Sequence, residues 1–345
     1  MEGGAQARGA ASQVTRIPAG DTRQGSMRAA ILDRNGSIDS LRIGELDPPQ
    51  VGPDTILVRV HAAALNPADP KVVTGKDGGG FLHAKNFPTA IGFDFSGVVE
   101  EAGANVRGRS VGDEVFGFLA YARSNKQGSF AELVAVSPET VGTKPPGVTH
   151  EDAAATATVG STALQALRDK GRLKAGQRVL VNGASGGVGS HAVQIARQLG
   201  AEVWGTASAA KADFVWSLGA TQVIDHKRTP LGSIDAKFDL VLDAASKSSF
   251  HEASGMLNRG GAYVTLLASP SLLTGMLSSV FSSKRCGVIV VKSRTADLDQ
   301  LAEWLAAGQL NASVDQTFAL SDISAALKAM EAGRAPGKIA VRIGD

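Results

Sequence analysis

The chain has 345 residues, 43% of them hydrophobic and 20% charged, with a formal net charge of +2. That length exceeds one ordinary core and suits two domains, and the composition is that of a globular protein. The charge balance shows no nucleic-acid footprint, and no apolar run reaches the roughly 20 residues needed to span a bilayer.

Residues 1–26 lack hydrophobic periodicity. Three arginines against two acids give them a trace of an organelle transit segment, but no apolar h-region marks a secretory signal. They read as a disordered leader. From Met27, short β-type runs alternate with turns: MRAAIL, SLRIGEL, TILVRVHAAAL, FSGVVEEAG, DEVFGF and FAELVAV. LDPPQVGPD interrupts them with three prolines. The pattern predicts an antiparallel or barrel-like β domain over 27–150. The segment HEDAAATATVGSTALQALRD then reads as a helix, with Thr149 or His150 at its start and Glu151 and Asp152 in its first turn.

Strand–helix units follow. Strands are expected near Val179–Asn182, Glu202–Thr206, Gln222–Ile224, Leu240–Leu242, Ala262–Leu266 and Val288–Val291. Alternation of this kind predicts an α/β Rossmann domain, a doubly wound parallel sheet, over 151–292. Cys286, in KRCGVIVV, is the only cysteine; it excludes an internal disulfide and suits a reducing, cytoplasmic setting. The tail, 293–345, reads as two helices and a closing strand, GKIAVRI. That strand has no partner in the regular pattern, so it is expected to return to the first domain and complete it.

VLVNGASGGVG places a glycine turn between a strand and a helix. Backbone N–H groups at such a helix start are unpaired and partly positive, a ready site for a pyrophosphate. The turn residues Ala184, Ser185, Gly186, Gly187, Val188 and Gly189 are therefore cofactor-binding candidates. In register the motif is Ala184-x-Gly186-x-x-Gly189, with alanine in place of the first glycine. The second strand ends Gly205-Thr206-Ala207-Ser208-Ala209-Ala210-Lys211, without the carboxylate that often receives the adenosine ribose. A hydroxyl at Ser208 and an ammonium at Lys211 suit a ribose 2′-phosphate, so the expected cofactor is NADPH. Ser208 also reads as a helix N-cap and Lys211 as a solvated lysine. Leu266 and Leu267, after the fifth strand, are expected to border the nicotinamide, because ligands gather at the carboxyl ends of such strands. Asp243 and Ala244, ending the fourth, are expected to do likewise.

VGSTALQAL, VNGASGGVG, LGATQVID, ALNPADPK, IGFDFSGVVEEAG, VGDEVFGF, GSFAE and GKIAVRI together resemble the medium-chain dehydrogenase/reductase superfamily. They are most similar to its zinc-independent quinone oxidoreductase and enone reductase branch, which includes plant-plastid quinone oxidoreductase homologues. The resemblance implies a GroES-like catalytic domain split by the Rossmann domain, and a homodimer. At the positions where zinc members carry Cys and Gly-His-Glu, this chain has Asn66 and Gly92-Phe93-Asp94. Phenylalanine cannot ligate zinc. Without a Lewis acid, reducing a conjugated electrophile is easier than oxidising an alcohol, so the expected substrate is a quinone or α,β-unsaturated carbonyl. A nucleotide-binding protein with little turnover is the alternative. Asn66 and Lys71, in NPADPK, are the catalytic candidates for stabilising the acceptor oxygen. Asp69-Pro70 reads as a helix N-cap with proline at N1. Thr162 matches a threonine that lies by the nicotinamide in the resembled family, or else bonds its own backbone. TGKDGGGFLHAKNF is expected to form a cleft rim with Phe81 as a wall, or a plain surface loop. Phe118, Leu119 and Tyr121 face the same choice between cleft and core.

Overall fold

The computed structural model describes residues 25–333 and 336–344; the leader reading lies, but for its last two residues, outside the described residues. The proline-broken segment acts as expected. One strand ends at Leu46 and the next runs Ile56–Ala64. The latter is the spine of a seven-stranded sheet. It pairs antiparallel with Asp94–Ala102 on one side and with Leu133–Val136 along its first half. Its alternating burial puts Ile56, Val58 and Val60 into a core with Phe93, Phe95, Val115 and Phe130.

The closing strand, Lys338–Arg342, pairs antiparallel with that spine, with Ala340 opposite Ala64. A strand the sequence did not announce, Val314–Ala319, lies parallel beside it. Its polar, exposed residues carry little periodic signal.

The second layer system is a six-stranded parallel sheet. Its spatial order is Gln222–Asp225, Glu202–Ala207, Arg178–Asn182, Phe238–Asp243, Leu257–Thr265 and Arg285–Val288. Counted along the chain this is 3-2-1-4-5-6, so the order reverses beside Arg178–Asn182, where ligand crevices form. The architecture is the expected one. One strand is displaced: the sixth occupies Arg285–Val288, not Val288–Val291. Its register explains why. The partner strand ends at Thr265, opposite Val288. Ile289 N–H still donates to Thr265 O at 3.0 Å, but the ladder ends there and Ile289–Val291 continue as a loop.

The joint between the two halves is the helix His150–Leu164, whose residues from Ala153 onward are all buried. Thr149 caps it, accepting the Asp152 N–H, and Glu151 and Asp152 sit in the first turn.

Candidate functional site

The glycine turn is built by backbone bonds and two buried side chains. Gly183 takes φ +81°, a left-handed conformation that other residues adopt at a cost. Its N–H donates to Thr206 Oγ1 at 3.0 Å, and Thr206 donates to Asn182 Oδ1 at 2.6 Å. Asn182 donates in turn to Asp243 at 2.8 Å, which also receives Ser248 N–H and the Tyr263 hydroxyl. Asp243 therefore braces the turn from behind, while Ala244 reaches the cleft. The helix Gly187–Gln198 follows, and its first backbone bond runs from Ser190 N–H to Gly186 O at 2.8 Å. The N–H groups of Gly187, Val188 and Gly189 thus have no backbone acceptor among the described residues. A Cβ on Gly189 would stand 2.1 Å from Gly183 O, so only glycine lets the helix lie this close. Orphan donors at a helix start fit a pyrophosphate.

The turn forms one wall of a cleft of about 1250 Å³ between the two halves. Gly186, Gly187, Val188, Thr162, Leu266 and Leu267 line it, together with Asn66 and Lys71. Ala184, Ser185 and Gly189 stand behind this wall. Ala184 N–H bonds Thr206 O, and Ser185 O receives Gly337 N–H at 3.0 Å, which ties the tail to the turn. Thr162 spends its hydroxyl on Thr158 O one turn back, at 2.7 Å. Ser208 occupies an N-cap position but makes no side-chain cap bond. Lys211 Nζ donates to Gly333 O at 3.0 Å, and Gly333 is part of the cleft wall. In the neighbouring strand Asp225 lies in register with Ala207, and its carboxylate accepts Lys227 N–H.

At the opposite end the cleft floor is a buried polar cluster. Lys338 Nζ donates to Leu65 O at 2.5 Å, Asn66 Oδ1 at 2.8 Å and Asp94 Oδ2 at 3.2 Å. Asn66 Nδ2 donates to Asp94 Oδ2 at 2.9 Å. An ammonium can only donate, so it fixes which way the Asn66 amide faces. The other Asp94 oxygen accepts from Thr158 N–H and from the Thr158 hydroxyl. Burial pushes the Asp94 pKa up, against the Lys338 charge and these donors. Every group around the carboxylate donates to it, which suits its charged form.

Asp69 departs from the expected N-cap. The helix starts at Ala68 after Pro67, and Asp69 is fully buried with Oδ2 accepting Asn66 N–H at 2.6 Å. Its Oδ1 has no partner, and burial raises its pKa to about 8. Tyr121, Phe118 and Leu119 line the cleft, whereas Phe81 lies outside it, exposed beneath Arg123. Leu82 takes the wall position instead. Among the described residues no three of His, Cys, Asp or Glu converge as metal ligands. His83 sets both ring nitrogens against carbonyls, and His61 stacks on His150.

Residues 52–157 match the family described as alcohol dehydrogenase GroES-like domain, and residues 218–341 that described as zinc-binding dehydrogenase. The mitochondrial NAD(P)H oxidoreductase RTN4IP1 of Bos taurus is 32% identical, with 96% of this chain and 92% of the relative covered. The chain belongs to the medium-chain dehydrogenase/reductase family. Trans-enoyl reductase pgmF of Aspergillus terreus is 34% identical over 86% of this chain and 88% of its own length. The solved quinone oxidoreductase of Coxiella burnetii superposes with a TM-score of 0.84 at 29% identity, covering 93% of this chain and 100% of that one.

Within this family member, sequence reasoning singled out Asn66 and Lys71 but missed Lys338, Thr158 and the role of Asp94. One signal for Lys338 was present. It is a lysine opening a strand, with Ile339, Ala340 and Val341 after it, already expected to return to the first domain, and a cation brought into a core needs a counter-charge.

Proposed function

We propose that the protein is an NADPH-dependent reductase that passes hydride to a quinone or α,β-unsaturated carbonyl without zinc. The observation that carries this reading is the cleft, which joins the orphan N–H groups of Gly187 and Val188 to a floor whose cation is Lys338. That floor offers a poor donor set to a Lewis acid. Asn66 has both ends of its amide engaged, and Phe93 is buried and stacked on Tyr121 at 4.0 Å between ring centroids.

NADPH supplies the hydride when bound. The helix start holds its pyrophosphate, and Ser208 and Lys211 meet the ribose phosphate. Ala184, Ser185 and Gly189 shape the turn from behind. Thr162, Leu266 and Leu267 enclose the nicotinamide end and keep water out. Lys71, on the cleft wall, adds positive potential where charge develops on the acceptor oxygen. Asn66 holds Lys338 and Asp94 in place and does not itself reach the acceptor.

A homodimer belongs to the same reading. Arg285–Val288 is an outer edge of the parallel sheet, and Leu277, Val280, Phe281 and Val290 nearby are exposed apolar side chains. Light scattering on the purified protein reads this directly. A cytoplasmic site is inferred from the lone cysteine, and no helix among the described residues is long and apolar enough to cross a membrane. Cell fractionation tests it, since the bovine relative is named as mitochondrial.

The test of activity is NADPH and NADH oxidation with a 1,4-quinone, a 2-alkenone and a 2-alkenal, before and after exhaustive chelation. Turnover that prefers NADPH and survives chelation supports the reading. Loss of turnover on chelation removes the zinc-free claim, and equal use of NADH removes the NADPH claim. NADPH binding without turnover returns the nucleotide-binding alternative.

A further inference from the structure

Several polar side chains around the cleft floor are already engaged. Lys338 uses three N–H groups on three acceptors, and Asn66 is bound at both ends of its amide. Thr162 is committed to its own helix. Gln127 clasps Ala135 through both its oxygen and its nitrogen. Thr158 gives its hydroxyl hydrogen to Asp94. Its oxygen is then free to accept, and the group 3.2 Å away is the hydroxyl of Tyr121. Asp94 can only accept, so the order of donation runs from Tyr121 to Thr158 to Asp94.

Tyr121 is thus held at rest by one long bond to a neutral oxygen, a weaker hold than those on Lys338, Asn66, Thr158 and Gln127. Its ring is fixed between neighbours. It stacks on Phe93 with planes 18° apart, and Phe118 leans on it at 6.3 Å. The ring is held while the hydroxyl hydrogen can rotate, the combination a preorganised donor requires.

We propose that Tyr121 is a catalytic residue: its hydroxyl turns from Thr158 to the carbonyl oxygen of the bound acceptor and stabilises the charge that forms there. This deepens the reductase reading of the same cleft and rests on it. As the acceptor takes hydride at carbon, the π electron pair moves to oxygen and the Tyr121 hydrogen bond shortens. The hydrogen stays on the tyrosine. The enolate or hydroquinone anion takes its proton from water after it leaves. Burial, then the charges of Asp94 and Asp69, push the Tyr121 pKa upward, which keeps the phenol protonated as a donor. Thr158 and Asp94 are positioning residues in this arrangement.

The experiment is Tyr121→Phe in the full chain, which keeps the ring and its stacking. Turnover is measured with NADPH and a series of aryl-substituted 2-alkenones, and NADPH binding is followed by nucleotide fluorescence. Expected are a kcat lower by about a hundredfold, NADPH affinity within about twofold of the parent, and a steeper dependence of kcat on electron-withdrawing substituents. The last change follows because the acceptor must then carry more of its own charge; a merely structural hydroxyl would not alter it. A kcat within about threefold of the parent, or an unchanged substituent slope, overturns the proposal. So does loss of NADPH binding together with turnover, which would make the hydroxyl a fold element. A parent protein that binds NADPH but reduces none of these acceptors sinks the reductase reading first, and this inference with it.

Discussion

The glycine turn and the polar floor face each other across one cleft, yet they are made differently. The turn occupies one continuous stretch, and its working groups are main-chain N–H donors aimed by a helix start. The floor gathers Asn66, Asp69, Asp94, Tyr121, Thr158 and Lys338 from distant parts of the chain, and its working groups are side chains that hold one another. A backbone site tolerates many side chains and fails only where a Cβ has no room. A side-chain site fails wherever one partner is lost, because the others are left buried and unpaired.

The sharpest way to break this contrast is Lys338→Met. It leaves Asp94 buried without its counter-charge and should cost about 3–5 kcal/mol of stability, read as a fall in denaturation midpoint. Adding Asp94→Asn should recover part of that loss. A double variant no more stable than Lys338→Met alone would mean that the pair does not act as one unit.

On the turn, Gly189→Ala comes next. Its Cβ would lie 2.1 Å from Gly183 O, a backbone atom with little freedom to retreat. A loss of about 1–3 kcal/mol is expected, with NADPH binding weakened in step, since the helix start must shift. Calorimetry with and without nucleotide checks both.

Asp69 gives a pH signature peculiar to the floor. Its pKa moves from 3.8 to about 8 on burial. Between about pH 4 and 8 the native state therefore holds a proton that the unfolded chain has released, so this group makes stability fall as pH rises through that window. Asp69→Asn still accepts the Asn66 N–H and removes the titration. Its melting curve should depend less on pH and lie a few degrees above the parent, on the order of 2–4 °C, at pH 9. A parent and variant with parallel pH profiles would show that Asp69 stays charged.

The smallest effect is expected at the mouth of the turn. Lys211→Ala should raise KM for NADPH about tenfold and leave that for NADH unchanged, equivalent to one charge-assisted bond at an exposed site. Equal changes for both nucleotides would remove the phosphate contact.

The turn was legible because strand, glycines and helix are neighbours in sequence and each element carries its own periodic or capping signal. The same local reading placed five of the six parallel strands at or near their observed positions. It misplaced the sixth, because Val288–Val291 is as apolar as a strand and only the length of the partner decides where pairing stops. It missed Val314–Ala319, a polar strand created by its neighbour's free edge. Asp69 looked like a cap because Asp-Pro is a common helix opening, whereas the buried Asn66 N–H supplied a stronger demand for an acceptor.

What the sequence determined by itself was what repeats or follows at short range: the alternation of strands and helices, the glycine turn between strand and helix, and the return of GKIAVRI to the first domain. Which side chains meet at the cleft floor was decided only by tertiary structure. Lys338 lies 244 positions from Asp94 along the chain, and no local preference couples them. They meet because the closing strand pairs edge to edge with Ile56–Ala64, itself paired with Asp94–Ala102, and that register carries an ammonium into a core where a carboxylate balances it.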